Sequence, residues 1–370
     1  MSYKTPPLIS VLMPVFNGEK YLDAAIRSVL RQSYSHFELI ILNDGSTDGS
    51  AKIIQSFKDP RIIYIKNDQN LGLVKTPNLG IERARGQYIA RIDSDDILFS
   101  DRFMKQVDFL ESHPDAVACG SWYFTMKFLP NTLVKVPTRP EDIASELIFK
   151  NVMAHSSMMM RADSLRQYKI FYSDKYPFIE DWELWLRLSK VGRLYNIPEP
   201  LFLYRLHSQS VSFKNFDVQN QSIQKIIASS FESFGIDLSV EESQALYDLV
   251  NSDRNLQFDL LKKVESLLLK IKQRNEIQKV IATQSFEMTL ARLWFRIVLK
   301  FSKRGLDTWK TYYQSPLRRQ DIVSSFSLFV FFMLCFFKQR LRLHSIKQWM
   351  ESWTSKAFYR ALFEIVAVRK

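Results

Sequence analysis

Arg91-Ile92-Asp93-Ser94-Asp95-Asp96 is the stretch on which the reading of this chain turns. Residues 87–92 have the apolar character of a buried strand, and three carboxylates follow directly at its end. Carboxylates this close repel one another unless a cation sits among them. Hard oxygen donors in an i, i+2 pair suit Mg²⁺ or Mn²⁺, above all where a diphosphate completes the coordination. The plain alternative is a solvated turn before a helix, with Ser100 or Asp101 as its N-cap. A calcium EF-hand loop is excluded, because Leu98 stands at the sixth position, where glycine is needed.

Working outward, short apolar runs alternate with helical patterns. Residues 8–15, 37–42 and 61–65 read as strands; 19–31, 48–57 and 101–111 read as helices. Residues 73–85 also read as a helix, with Pro77 kinking or delaying it. This alternation predicts an α/β fold, a Rossmann-like and mainly parallel sheet flanked by helices on both faces. Ligands of such sheets bind at the carboxyl ends of the strands. The polar clusters at 16–19, 43–46 and 93–96 fall at such ends. Residues 113–200 are less regular. Strands are expected near 116–124 and 157–161 and a helix over 180–190, and Pro198 and Pro200 mark a loop. Beyond residue 215 glycine nearly vanishes, and apolar and charged residues recur at helical spacing. The expected division is 1–215 for the α/β domain and 216–370 for a helical, basic region.

Each strand-end cluster has an ordinary and a chemical reading. Pro14-Val15-Phe16-Asn17-Gly18-Glu19 is either a turn with an acid at a helix start or a cradle in which Phe16 faces a flat base. Asn43-Asp44-Gly45-Ser46-Thr47-Asp48 is either an Asx or cap turn, or a carboxylate for the imide N–H of uracil, with Gly45 letting the ligand approach. In Glu180-Asp181-Trp182-Glu183-Leu184-Trp185 the acids complement a helix dipole, or one of them is a general base for an acceptor hydroxyl. Trp182 and Trp185 at helical spacing are core before they are a sugar platform. His207, in Tyr204-Arg205-Leu206-His207, follows the prolyl segment, where the chain could fold back over a diphosphate.

The bulk composition narrows the class. With 370 residues, 46% hydrophobic and 14% aromatic, the chain has ample core material. The net charge of +12 points to nucleic acid, anionic lipid or phosphorylated substrates. From Pro316 onward ten Lys/Arg stand against three acids, so more than half of the excess lies there. No nucleic-acid motif accompanies it, and neither a dinucleotide fingerprint nor a P-loop is present. Cys119 and Cys335 have no metal spacing and fit a reducing compartment. The N-terminus lacks the apolar core of a secretion signal, so a cytoplasmic location is expected.

Taken in order, the motifs resemble those of family 2-type glycosyltransferases with the GT-A fold. The matching pieces are VLMPVFNGEKYL, ELIILNDGSTDGS, NLGLVKTPNLGIERARGQYIARIDSDDI, EDWELWLRL and LYRLHSQSVS, spread over residues 7–213. The resemblance implies an inverting transferase that takes a sugar from a nucleotide-diphosphate sugar, a UDP-sugar in most members. The acceptor is a hydroxyl of a saccharide or lipid-linked saccharide, as in cell-surface polysaccharide synthesis. By motif, Pro14, Phe16, Glu19, Asp44, Gly45, Asp93 and Ser94 would surround the nucleotide. Asp95 would be the direct ligand of Mn²⁺ or Mg²⁺, with Asp93 nearer the ribose and the metal's water shell and His207 a further ligand. Asp181 would be the catalytic base, with Glu180 as the alternative. The chain departs from the family pattern at Pro77, before Asn78-Leu79-Gly80, and no pyrophosphate contact is carried over there. The competing function is a non-catalytic nucleotide-sugar-binding or scaffolding protein, against which the intact Asp93, Asp95 and Asp181 speak.

Residues 322–337, IVSSFSLFVFFMLCFF, are nearly all apolar and flanked by Arg318, Arg319, Lys338, Arg340 and Arg342. As a helix they would reach about 24 Å, short of a ~30 Å hydrocarbon core. Three placements are open: a thinned-bilayer span, a helix lying on or dipping into an anionic membrane surface, and a helix buried in its own domain or in an oligomer contact. The second would hold the protein peripherally at the inner face of the cell membrane.

Overall fold

The structure is a computed structural model, and it describes residues 6–126, 132–207, 215–251 and 258–340. The chain divides into two compact units, Met1–Ile223 and Gln224–Lys370.

The first unit is built on one sheet. β1 (Ile9–Val15), β2 (Phe37–Asp44), β3 (Ile62–Asn67) and β4 (Tyr88–Arg91) run parallel in the order β3-β2-β1-β4. Between them lie α1 (Glu19–Leu30), α2 (Ser50–Ser56) and α3 (Gly72–Arg83). Every residue of β2 is buried, which is why it reads as an unbroken apolar run rather than an alternating one. α3 starts at Gly72 and passes through Pro77. Helix and sheet come together at Gly80, where a Cβ would meet Leu42 at 3.0 Å and Leu12 at 3.2 Å.

Beyond β4 the sheet becomes mixed. Its order continues through β8 (Met159–Arg161), β6 (Ala116–Met126), β9 (Arg193–Arg205) and β5 (Ile97–Leu98), with β7 (Thr132–Val134) on β6. β8 is antiparallel to β4 and β6, β6 is parallel to β9, and β5 is antiparallel to β9. The helices here are α4 (Arg102–Ser112), α5 (Pro140–Leu147), α6 (Ala162–Gln167) and α7 (Glu180–Leu188). The expected loop at Pro198 and Pro200 is corrected: both lie inside the 13-residue strand β9. The pairing with β6 steps from Ile197↔Ser121 to Pro200↔Trp122, so the irregularity absorbs Pro198 and its missing N–H.

The second unit is helical. It takes in most of α8 (Phe216–Glu232), then α9 (Val240–Asn251), α10 (Asp259–Gln278), α11 (Thr283–Lys300), α12 (Leu306–Gln314) and α13 (Ser325–Arg340). The apolar tail segment forms α13, and Val330, Phe331, Leu334 and Cys335 on it are buried. Phe331 packs on Phe295 of α11 and on Trp309 and Tyr312 of α12. No described helix is long and apolar enough to cross a membrane. Arg342 and the later basic residues Lys347, Lys356, Arg360, Arg369 and Lys370 lie outside the described residues.

Candidate active site

The end of β4 delivers the acid cluster. Arg91 and Asp93 are two apart on extended chain and so share a face. Arg91 is buried, and its Nη2 donates to Asp93 Oδ1 at 2.7 Å. Ser156, on the short turn His155–Ser157, donates to Asp93 Oδ2 at 2.8 Å and accepts the Asp93 N–H at 2.9 Å. Burial pushes the Asp93 carboxyl up, but the Arg91 charge and these hydrogen bonds outweigh it and hold it below the usual range. Part of the cation that the acid cluster demands is therefore Arg91.

Asp95 and Asp96 are met by the end of β9. Antiparallel pairing sets Ile97 opposite Leu203, so the chain beyond Leu203 runs back past Asp96 and Asp95. The Arg205 N–H donates to Asp96 Oδ1 and the Arg205 Nε to the Asp95 carbonyl, both at 2.9 Å. His207 Nε2 then reaches Asp95 Oδ2 at 2.8 Å. His207 thus arrives from a strand end, not from the prolyl loop expected of the sequence. Burial, then the charge of Asp93, raises the Asp95 carboxyl. The same causes, with Asp95 added, push Asp96 well above the carboxylate range; its Oδ2 is buried with no partner among the described residues.

Asp95 and His207 offer a hard oxygen and an imidazole nitrogen side by side, a donor set that fits Mn²⁺ or Mg²⁺ with further oxygen ligands. Asp93 is engaged on both oxygens by Arg91 and Ser156. Among the described residues no group of three or more His, Cys, Asp and Glu could hold a metal, so protein donors alone do not complete a shell.

At the first two strand ends, several residues named from the sequence bind the protein itself. Phe16 is half exposed after β1, and a Cβ on Gly18 would lie 3.1 Å from Ser94 Oγ, so the first and fourth strand ends touch. Pro14 stays within β1, paired with Leu42. Glu19 accepts the Gly49 N–H at 2.8 Å while Asp48 accepts the Glu19 N–H at 3.0 Å, a reciprocal clamp between the starts of α1 and α2. Asp44 accepts from Asn67 Nδ2, from the Leu71 N–H and from the Gly72 N–H at 2.8–2.9 Å, and so holds the start of α3. Gly45 has φ +70, and a Cβ there would stand 2.7 Å from the Gln69 backbone. Its bareness admits the chain at 69–70.

Glu180 and Asp181 open α7. Asp181 accepts from Asn151 Nδ2 at 2.8 Å and from the Trp182 N–H at 2.7 Å. Burial is the main cause that raises Asp181 to about 6. Burial, then the charge of Asp181, raises Glu180 to about 8, and its Oε2 is buried with no partner among the described residues. The charges of Arg91 and Asp93 are felt at both acids, so the end of β4 and the start of α7 face one electrostatic site. His155 and Tyr172 lie in the same site, with Nε2 2.7 Å from Oη, and Asn78 clamps the Tyr172 backbone at 2.8–2.9 Å. Trp182 and Trp185 are core residues. Sequence reasoning missed Arg205, Asn151, His155 and Ser156. The polar run Ala154-His155-Ser156-Ser157 before a strand was the one available signal.

The glycosyl transferase family 2 model matches residues 10–168. An uncharacterised glycosyltransferase of Haemophilus influenzae is 32% identical over 265 residues, covering 67% of this chain and 82% of that protein. The chain belongs to glycosyl transferase family 2. A second relative of this family 2 glycosyltransferase is the UDP-Glc:alpha-D-GlcNAc-diphosphoundecaprenol beta-1,3-glucosyltransferase WfaP of Escherichia coli. It is 32% identical over 211 residues, which is 56% of this chain and 81% of WfaP. Among solved structures, S. aureus TarS 1-349 in complex with UDP-GlcNAc has TM-score 0.52 at 15% identity, over 83% of this chain and 90% of that one. The mannosyltransferase PcManGT of Pyrobaculum calidifontis, in complex with GDP-Man and Mn²⁺, has TM-score 0.51 at 12% identity, over 92% and 89%. These likenesses establish the GT-A fold.

Proposed function

We propose that this family 2 glycosyltransferase moves a hexosyl or N-acetylhexosaminyl unit from a UDP-sugar to a hydroxyl of a saccharide or lipid-linked saccharide, with inversion, in bacterial cell-surface polysaccharide synthesis. The observation that carries the proposal is that Asp93 and Arg91, at the end of β4, act electrostatically on Glu180 and Asp181, at the start of α7, while His207 reaches Asp95 two residues on. The donor and acceptor classes draw on WfaP, whose name specifies UDP-Glc and a diphosphoundecaprenol-linked sugar.

Asp95 and His207 would hold Mn²⁺ or Mg²⁺, which when bound supplies charge stabilisation to a departing diphosphate. Arg91 and Ser156 fix Asp93 so that it stays ionised beside the donor. We infer that Phe16 offers its exposed ring to the base at the end of β1, with Pro14 preceding it on the strand and Gly18 close against Ser94. Asp44, Gly45 and Glu19 would act on the donor indirectly, by holding the neighbouring turns. Asp181 takes the proton of the acceptor hydroxyl as that oxygen attacks the anomeric carbon from the face opposite the leaving group. A value near 6 keeps Asp181 ionised at neutral pH while leaving it more basic than a solvated carboxylate. Glu180, raised to about 8, is mostly protonated there and so adds little like charge beside the base.

A peripheral place at an anionic membrane surface would bring the enzyme to a lipid-linked acceptor, supported by the net basic tail. The test of the proposal is a screen of nucleotide sugars with Mn²⁺ or Mg²⁺, reading released nucleotide diphosphate. Turnover of at least one UDP-sugar is expected; no release from any donor under either metal would overturn it.

A further inference from the structure

Asn151 lies between α5 and the turn at His155. Its two amide ends have partners that decide its orientation. Oδ1 accepts the Met153 N–H at 3.1 Å, and a backbone N–H can only donate. Nδ2 therefore faces Asp181 Oδ2, at 2.8 Å. A flipped amide would oppose donor to donor at one end and acceptor to acceptor at the other.

We infer that Asn151 is a positioning residue for glycosyl transfer, locking the Asp181 carboxylate in one rotational setting by donating to Oδ2. The inference rests on the reading of Asp181 as base. A carboxylate turns about its last bond unless donors hold it. Here the Trp182 N–H holds Oδ1 and Asn151 holds Oδ2, and a carboxylate keeps further lone pairs for the acceptor's proton. The other groups around Asp181 are Glu180 on its own helix, Tyr172 from the segment before it, and Arg91 and Asp93 from the end of β4. Among these, Asn151 is a neutral donor that favours the ionised base, against the burial that disfavours it. Its side chain is exposed, so exchange at this position leaves the core packing untouched.

Asn151→Asp isolates the effect. The new carboxylate still accepts the Met153 N–H and has the same size, but it places an acceptor where Asp181 needs a donor. Expected are a wild-type melting temperature, an unchanged KM for the nucleotide sugar and a kcat lower by about tenfold or more. The acid limb of the kcat–pH profile should move up by about one pH unit. Asn151→Ala, which adds no charge, should move the same limb in the same direction. Asp181→Asn is assayed alongside. If it transfers sugar normally, the base assignment fails and the inference fails with it. If Asp181→Asn is inactive while both Asn151 variants keep the wild-type kcat and pH profile, the Asn151 inference alone is overturned.

Discussion

Asp93, Asp95 and Asp96 fall within four residues, and each has a different neighbour: Arg91 with Ser156, His207, and the Arg205 backbone. Opposed charges and hydrogen bonds thus relieve part of the repulsion that the sequence poses. Asp181→Asn keeps the shape of the base but removes its proton-accepting charge, so turnover should fall by roughly 10²–10⁴, measured as released UDP. Glu180 makes a prediction about stability. Its folded value of about 8 lies above its ordinary 4.5, so the folded state holds this proton more tightly than the unfolded chain. The resulting stabilisation is full below pH ~4.5 and is lost as pH rises through about 8. Glu180→Gln should therefore melt near the wild type at pH 5 and higher than it at pH 9, by roughly 2–4 °C per kcal/mol recovered. A melting series across that range reads the difference directly. At this scale the acids were legible, because i, i+2 carboxylates at a strand end have few ordinary explanations. Arg91 was legible in principle, since it shares a strand face with Asp93. Asn151 was not: it is a common polar residue brought in from thirty positions away by the fold, with no local pattern of its own, and Ser156 had only the short polar run before β8 to mark it.

The elements that were easiest to read are those buried on both faces. β1 and β2 are continuous apolar runs because helices cover the sheet on either side. β9 was misread because its two prolines look like a loop, while the pairing with β6 bends around them. That misreading also hid how His207 reaches Asp95, since the approach is set by β5–β9 register rather than by a flexible return. Turn geometry carries a prediction here. Gly45→Ala must strain a φ of +70 and push back the Gln69 backbone 2.7 Å away, so a loss of about 1–3 kcal/mol is expected by urea unfolding. Donor affinity should fall with it, because the same loop follows Asp44. In the helical unit, Phe331 is fully buried between α11 and α12. Phe331→Ala should cost about 3–5 kcal/mol, a value that a helix lying on lipid, with Phe331 facing the bilayer, would not show in detergent-free buffer.

For the molecule as a whole, one α/β unit with a polar strand-end face stands in the same chain as a helical unit that ends in a basic tract. The α/β fold was legible in the first unit, because the polar motifs follow β1, β2 and β4, which lie side by side in the sheet. The packing of the apolar tail was not legible, since periodicity cannot distinguish a helix buried in protein from one buried in lipid. Charge supplies the test of membrane contact: the protein should float with vesicles containing anionic lipid at low salt and leave them as salt rises. Purely neutral vesicles should not retain it. The central claim is that metal-assisted donor binding at Asp95 and proton removal by Asp181 are separate tasks. A calorimetric titration of UDP in Mn²⁺ tests it most directly, run on the wild type, Asp95→Ala and Asp181→Asn, with a metal-free control. The account predicts near-equal affinity for wild type and Asp181→Asn, and a loss of about tenfold or more for Asp95→Ala and for the control. Equal weakening in both variants, or UDP affinity indifferent to the metal, would contradict it.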